Sequence, residues 1–299
     1  ALGATEALAS GTTCIVDHHE SPNAIEGSLS TISKACRDVG VRVNTSYGVT
    51  DRWDNEGNLH SSVDRSVKMS SAARRGLDEG LAFIKSGGKG MIGVHAAFTC
   101  GDETLNEAAA LASSLGVGVH IHVAEGADDV DAGSRLESLA QDDWLLVHAV
   151  HLDRNLKGSI VHNPRSNMNN SVGYAQPTKW TNPVLLGTDG IGANMMEESR
   201  LAYVRLREHD VTANPTVVQT WLNNNYEFFP EAKNDKVVWS YDSMDSPWHT
   251  AFTTDMQVLT VDVDDERVYE DGKLTRMDLQ EVRSKAREQA QRLFERLEA

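Results

Sequence analysis

The sequence predicts an α/β protein whose main domain is a (β/α)8 barrel of the TIM type. Near-continuous apolar runs alternate along the chain with helix-like stretches, which is the pattern of a parallel sheet with crossover helices. Polar residues collect at the predicted carboxyl ends of several strands. A length of 299 residues suffices for one such domain and a small additional element.

Seven apolar runs are predicted to be buried strands because they are short, continuous and bounded by polar residues or glycine. They are Thr12–Asp17, Val41–Tyr47, Met91–Ala97, Val117–Val123, Trp144–Val150, Ser159–His162 and Val184–Thr188. Between them, Ala24–Val39, Ser70–Ser86 and Glu103–Leu115 are long enough to be crossover helices. A glycine follows each of these three stretches, as is common just after a helix ends.

The positions of the polar residues favour a closed barrel over an open sheet. His95, His122, His148, His162 and Asp189 lie at or just after the ends of different predicted strands. A barrel gathers side chains from many strand ends at one mouth, whereas an open sheet concentrates its site at one switch point. The sequence contains no GxGxxG or GxxxxGK[ST] motif that would indicate a nucleotide-binding loop.

The end of the chain predicts a small β element with a closing helix. Its strands are Gln257–Val263, Glu266–Tyr269 and Lys273-Leu274, with a turn at Asp271-Gly272. An amphipathic helix follows from Asp278 to Leu297. We therefore divide the chain into a barrel domain at residues 1–256 and the appended element at residues 257–299.

The composition limits the partners of the protein. Acidic residues outnumber basic ones by 44 to 28 and give a formal charge of −16, which disfavours nucleic acid and anionic membranes. Acidic pairs such as Asp128-Asp129 are expected to be solvated surface. Three scattered cysteines predict no disulfide framework. Without an apolar span or a basic leader, we expect a cytoplasmic protein that binds a small molecule, with a homodimer as the default oligomer.

The segment His120-Ile121-His122-Val123-Ala124-Glu125 carries the strongest chemical signal. His120 and His122 point to one face of a strand, and Glu125 falls beyond its end. An imidazole that binds a metal ion and a carboxylate that moves protons are the groups that a metal-dependent hydrolase needs. The alternative is that both histidines are hydrogen-bonded core residues.

Two further strand ends carry polar residues with a candidate role. His148 ends a predicted strand and His151 follows on the loop; alone, such a histidine is more often structural. Asp189 ends a buried strand among small residues, and a buried carboxylate needs a cation or several donors. The alternative for Asp189 is a helix cap. The stretch His162–Asn170 is rich in hydrogen-bonding groups, which fits substrate contact or a turn.

Four motifs, in this order, resemble those of the amidohydrolase superfamily. They are HxxE at His122–Glu125, HxxH at His148–His151, HNPxSN at His162–Asn167 and GTDG at Gly187–Gly190. The similar branch contains cytosine deaminase, guanine deaminase, S-adenosylhomocysteine deaminase and the triazine hydrolases. A closer likeness to SsnA-type aminohydrolases comes from Gly11–Thr13, Asp17–Pro22, Ser166–Asn170 and Gly187–Gly192.

The resemblance implies one divalent metal ion, zinc or iron, with His122 and Asp189 among its ligands. It implies that Asp189 is also the base for the attacking water and that His148 orients this water or polarises the leaving site. It also implies that Glu125 transfers a proton to the substrate and then to ammonia. Substrate contacts are implied by analogy at His95, His151, His162, Asn163, Ser166, Asn167 and Glu198.

The implied function is hydrolytic deamination of an aminated heterocycle, of the purine, pyrimidine, pterin or triazine type, by a metal-activated water. Hydrolysis of a carbon–halogen or amide bond is one alternative, and a non-catalytic binding protein that keeps the barrel is another. Similar proteins carry an HxH pair on a first strand, before a helix that would match Ala1–Ser10. We therefore expect a barrel that is incomplete at its N-terminus and lacks that pair of metal-binding histidines.

Overall fold

Seven parallel strands follow one another in chain order. A computed structural model describes residues 1–241 and 244–298. The strands are β1 Cys14–His19, β2 Arg42–Tyr47, β3 Ile92–Ala96, β4 Val119–Val123, β5 Leu145–His148, β6 Ser159–His162 and β7 Val184–Leu186. Each of them overlaps one of the seven predicted runs, so the prediction of these elements is confirmed.

The pairing of these strands is that of a barrel wall. β1 pairs with β2, and β3 to β7 pair consecutively, always in parallel. Parallel bridges from Thr45 to Gly90 and from Val49 to Val94 connect the β2 segment to the β3 segment. In the described ranges no eighth parallel strand joins β7 to β1. On that side the Thr12 hydroxyl donates to the Ala193 carbonyl at 2.8 Å.

Helices connect the strands and cover the sheet. They are α1 Leu2–Ala9, α2 Ser28–Val39, α3 Ser71–Lys85, α4 Asp102–Leu115, α5 Ala132–Leu136, α6 Pro164–Asn169, α7 Met195–His209, α8 Pro215–Phe228, α9 Pro247–Phe252 and α10 Leu279–Glu298. The predicted crossover helices correspond to α2, α3 and α4 and are confirmed. Gly40 and Gly116 end α2 and α4 with φ of 104° and 66°, a conformation that glycine adopts at little cost.

Local hydrogen bonds explain where two of these helices begin. The Ser70 hydroxyl accepts from the Ala73 amide at 3.1 Å and caps α3. The buried carboxylate of Glu79, in α3, accepts from the amides of Gly27 and Leu29 at 2.8 and 3.1 Å. Because an anion at a helix N-terminus is favourable, Glu79 also fixes α2 against α3.

A four-stranded antiparallel sheet forms the end of the chain, in the order β11-β10-β9-β8. Its strands are β8 Lys236–Trp239, β9 Val258–Val263, β10 Glu266–Glu270 and β11 Lys273–Leu274. The last three confirm the predicted small β element. The predicted domain boundary at residue 257 stays a prediction, and the sheet also includes β8, which precedes that residue.

Apolar packing forms three clusters. The largest contains side chains from β3 to β6 and from α3 and α4, such as Leu77, Ile121 and Leu146. A second joins α1, α2 and β2 to the small sheet, with Leu8 and Val261 fully buried. A third packs α7, α8 and α9 on β7. The small sheet is thus packed against the beginning of the chain.

The structure also bears on the expectations about disulfide bonds and about a membrane-spanning helix. All three cysteines, which lie in the described part of the chain, are free thiols, as predicted. Among the described residues, no helix has both the length and the apolar character required to cross a lipid bilayer.

Candidate active site

Side chains from four strand ends line one cavity. The cavity has a volume of about 290 Å³, close to the lower end of the range for small-molecule sites. Its lining residues are His95, Ala96, Phe98, His122, Glu125, Asp129, His148, Asn170 and Asp189. Five of them, His95, His122, Glu125, His148 and Asp189, are residues that the sequence predicted for the site. The cavity lies at the carboxyl ends of the strands, where barrel enzymes have their active sites.

Three of these residues are arranged as a cation-binding group. Potential ligand atoms of Glu125, His148 and Asp189 lie within 4.8 Å of one another. His148 Nε2 is 3.6 Å from Glu125 Oε2 and 3.8 Å from Asp189 Oδ2. Two carboxylates at this spacing repel each other, so a positive charge between them is favourable. The group therefore fits a metal ion or a protonated imidazole.

The backbone at this group is left-handed although none of its residues is glycine. Ala124, His148, Ala149 and Asp189 have φ of 48°, 73°, 53° and 53°. Such conformations cost about 1–3 kcal/mol each and concentrate at functional sites, where the surrounding structure holds them. Here they follow β4, β5 and β7 and direct the side chains into the cavity.

Each cavity histidine makes a hydrogen bond through Nδ1. His122 Nδ1 donates to the His95 carbonyl at 2.6 Å, and His148 Nδ1 is 2.8 Å from Asn167 Oδ1. His95 Nδ1 is 3.0 Å from the Thr99 hydroxyl, which itself donates to the Ala96 carbonyl. In each case Nδ1 carries the hydrogen, which leaves Nε2 as the acceptor or metal-binding nitrogen.

Burial keeps the imidazoles neutral. It lowers the pKa of His95 to about 3, with further contributions from His122 and Arg52. It also lowers the pKa of His120 to about 3 and lowers the pKa of His122. A neutral imidazole is the form that binds a metal ion, and ligation by His122 stays a prediction.

Asp189 is held as a carboxylate by its neighbours. Its Oδ2 accepts from the Ser166 hydroxyl at 2.5 Å and its Oδ1 from the Gly190 amide at 2.6 Å. Burial opposes ionisation, but these hydrogen bonds and the nearby imidazoles outweigh it and lower the pKa of Asp189. Gly187, two residues before Asp189, allows the chain to pass close to Asn163, because a Cβ at position 187 would be 2.3 Å from Asn163 Oδ1.

The predicted residues of the HNPxSN motif lie behind the cavity. Ser166 and Asn167 contact Asp189 and His148 as described, and the Asn163 amide nitrogen is 3.5 Å from His148 Nδ1. All three are buried. Their role in substrate contact stays a prediction, and the structure shows them supporting the residues of the cavity wall.

Three other predicted substrate residues do not line the cavity. His151 is exposed, and its Nε2 bonds to the Val172 carbonyl at 2.9 Å. His162 is buried with its ring edge toward Tyr174 and Trp221. Glu198 is only 1% exposed and pairs with Arg165 at 2.6 Å. Substrate contact by these three residues stays a prediction.

The sequence interpretation missed several residues of the site. Asp129 was assigned to the solvated surface, which is wrong, because it is 3% exposed and lines the cavity. Phe98 and Asn170 also line it. Asn170 follows Ser166 by four residues, and helical spacing on that stretch could have indicated a shared face.

The sequence interpretation names His18, near the end of β1, only as part of a motif and does not predict it as a site residue. Its ring lies 4.6 Å from the ring of His120 and 4.5 Å from that of His122. Its position in the Asp17–Pro22 motif was the available signal. The imidazoles of β1 and β4 therefore pack beside one another, and of these three rings that of His122 lines the cavity.

Comparison with known proteins places this geometry in a family. The sequence pattern of the amidohydrolase family matches residues 1–221. The chain is 31% identical over 229 residues to a 5'-deoxyadenosine deaminase of Methanopyrus kandleri, covering 68% of this chain and 49% of that protein. It is 30% identical to a 5-methylthioadenosine/S-adenosylhomocysteine deaminase of Pelotomaculum thermopropionicum, covering 66% of this chain and 47% of that protein. The chain thus spans about half the length of these curated relatives.

Solved structures show the same fold. An adenosine deaminase from Xanthomonas campestris with bound zinc superposes with a TM-score of 0.79 at 18% identity, over 97% of this chain and 73% of that one. An atrazine chlorohydrolase from Arthrobacter aurescens in complex with zinc gives 0.73 at 18% identity, over 94% and 74%. These likenesses confirm the predicted barrel fold.

Proposed function

The chain belongs to the amidohydrolase family, and on this premise we propose that the protein catalyses the hydrolytic deamination of an aminated heterocycle. In this reaction the oxygen of water bonds to the ring carbon that bears the amino group, and the carbon–nitrogen bond breaks to release ammonia. The observation that carries the proposal is the convergence of Glu125, His148 and Asp189 on one cavity. The names of the curated relatives make adenine nucleosides the first substrates to test.

The donor set of the site fits one divalent metal ion. His122, on β4, has a free Nε2 because its Nδ1 donates to a carbonyl. Asp189 presents a carboxylate just after β7. Imidazole and carboxylate suit zinc and iron alike, and we propose His122 and Asp189 as ligands. When bound, such an ion supplies Lewis-acid chemistry that makes water a nucleophile near neutral pH.

The protein groups can handle the protons of the reaction. The Asp189 carboxylate accepts a proton from the attacking water, since two hydrogen bonds already hold it in the ionised form. Glu125, with Oε1 accepting from Asn170 at 3.2 Å, gives a proton to the ring nitrogen and then carries the proton of the newly formed hydroxyl group to the departing amino group. The proton that Asp189 took from water then returns to Glu125, which restores both carboxyl groups. The position of Glu125 in the cavity wall, 3.6 Å from His148 Nε2, supports this proposal.

His148 orients the reacting groups. Asn167 holds its Nδ1–H, so Nε2 is directed at the carboxylates of Glu125 and Asp189. A water or substrate atom between these groups would be fixed in position by them. His95 lines the same cavity and is proposed as a substrate contact, and its Nε2 lies 3.5 Å from the Arg52 guanidinium, which can donate to it.

The decisive experiment compares two glutamate variants of the protein loaded with zinc or iron. Glu125→Gln is expected to lower ammonia release from 5'-deoxyadenosine by about 10²–10⁴-fold, with unchanged metal content. Glu137→Gln is the matched control, because Glu137 is 62% exposed and pairs with Arg154 on the surface. An active Glu125→Gln variant would contradict the role of Glu125. Chloride release from a halogenated heterocycle, with no ammonia from any aminated one, would contradict the proposed reaction.

A further inference from the structure

The carboxylate of Asp129 joins the ends of two neighbouring strands. Asp129 lies on a short 3-10 helix, Ala127–Asp129, and is 3% exposed. Its Oδ1 accepts from the Phe98 amide at 3.0 Å and its Oδ2 from the Ala124 amide at 2.7 Å. Phe98 follows β3 and Ala124 follows β4. One buried side chain therefore connects the two turns that present His95 and Glu125 to the cavity.

The hydrogen bond from the Ala124 amide to Asp129 lies at a left-handed position of the backbone. Ala124 has a φ of 48°, which an alanine adopts only at a cost. Hydrogen bonds to an ionised acceptor are about twice as strong as neutral ones, so the carboxylate can hold this conformation. Glu125 is the next residue, and its direction is set by the backbone of Ala124. Among the residues that the structure describes, the side-chain hydrogen bond to Glu125 comes from Asn170, at 3.2 Å, and is exposed.

We propose that Asp129 is a positioning residue that fixes the left-handed turn at Ala124 and so directs the carboxylate of Glu125 into the cavity. This inference rests on the proposed function in one respect, namely that Glu125 transfers the proton in the proposed reaction. Asp129 lines the cavity but is not required to touch the reacting atoms. Without it, Glu125 is expected to sample orientations outside the cavity.

Asp51 provides a matched control for the structural part of this role. It is also 3% exposed, and its two oxygens accept from the backbone amides of Ser70 and Gly101 at 2.8 and 2.9 Å. It is not among the residues that line the cavity. Asp51→Asn and Asp129→Asn therefore remove the same kind of interaction, at the same depth, from two different places.

The test compares these two variants in the full protein with its metal bound. Each asparagine keeps one acceptor and turns an amide donor toward a backbone N–H, so both variants should lower the denaturant midpoint to a similar extent. Asp129→Asn is expected to lower kcat for ammonia release by about 100-fold, the order of effect that a misplaced catalytic group produces, with KM within about threefold. Asp51→Asn should keep kcat within about twofold. Equal effects of the two variants on kcat, or none, would overturn the inference.

A second measurement does not depend on turnover. Amide hydrogen exchange in the segment 119–126 should be faster in Asp129→Asn than in the wild type and in Asp51→Asn, because the turn at Ala124 opens. Unchanged exchange in that segment would overturn the positioning role. If the wild type releases no ammonia while this exchange difference is present, the proposed reaction fails and the role of Asp129 in ordering the Glu125 turn stands.

Discussion

At the scale of single residues, the site depends on hydrogen bonds that fix one atom each. The Nδ1 atoms of His95, His122 and His148 are all engaged by oxygen atoms of the protein. Because a neutral imidazole has one donor and one acceptor, these bonds assign the acceptor to Nε2 in all three rings. The result is one fixed ring orientation for each histidine beside the carboxylates of Glu125 and Asp189.

The effect of burial on the pKa of Asp129 can be tested by measuring stability at different pH values. Burial raises the pKa of its carboxyl group from 3.8 to about 6, although the two backbone amides oppose the shift. The folded protein thus binds this proton more tightly than the unfolded chain. Its contribution to the free energy of unfolding is fully present below about pH 4 and is lost as the pH rises through 6.

The measurement is urea denaturation of the wild type and Asp129→Asn between pH 4 and pH 7. The free energy of unfolding of the wild type minus that of the variant should be largest at pH 4 and should decrease toward pH 7. Other titrating groups are common to both proteins and cancel in the difference. A difference that is constant or grows with pH would contradict the raised pKa of Asp129.

Four of the predicted residues that line the cavity lie at or just after strand ends. His95, His122, His148 and Asp189 follow apolar runs, and the ends of parallel strands meet at one edge of the barrel. Asp129 could not be located in this way. Its partner Phe98 is 31 positions away in the sequence, and only the folding of the β4 turn over the end of β3 buries it.

At the scale of elements, local pattern explains the predicted barrel strands and also why β8 is not predicted. The barrel strands are continuous apolar runs that need no partner to be recognised. β8 has alternating exposure and covers only Lys236–Trp239. It pairs with β9, which begins at Val258 after a helix, and this distant pairing leaves no signal in the short segment itself.

Arg42 links the barrel to the small sheet and its removal should destabilise the protein. From β2 it contacts Asp235 Oδ2 at 2.5 Å and Asp264 Oδ1 at 2.5 Å. The Asp235 side chain is 4% exposed, so Arg42→Met leaves a buried charge without its partner. We expect the free energy of unfolding to fall by about 3 kcal/mol, as measured by urea denaturation.

The surface pair of Arg267 and Asp262 provides the control for this prediction. Their side chains are 39% and 20% exposed, and exposed pairs contribute at most about 1 kcal/mol. Arg267→Met should therefore have a small effect. Adding Asp235→Asn to Arg42→Met should recover part of the lost stability, because the buried charge is then removed. Equal losses for Arg42→Met and Arg267→Met would show that Arg42 does not connect the two sheets energetically.

At the scale of the whole molecule, the fold class follows from the order of apolar and polar segments along the chain. The packing that joins the two ends of the chain does not. Chain-ordered parallel strands were predicted and are present. The packing of the small sheet on α1 and β2 joins the two ends of the chain, and no local pattern encodes such a contact. The net charge of −16 adds a general attraction for cations, which the carboxylates of the cavity focus.

A metal ion in the cavity should stabilise the whole fold, because its proposed ligands, His122 and Asp189, come from β4 and from the end of β7. A ligand that binds only the folded protein stabilises it by about 2.7 kcal/mol at a concentration of one hundred times Kd. Thermal unfolding should therefore shift upward with added Zn²⁺ in the wild type and in His60→Asn, whose histidine is 51% exposed on a loop. The shift should be largely lost in His122→Asn, since His122 is a proposed ligand. An equal shift in His122→Asn would place zinc elsewhere. No shift in the wild type, with well under one metal ion per chain, would favour a non-catalytic barrel.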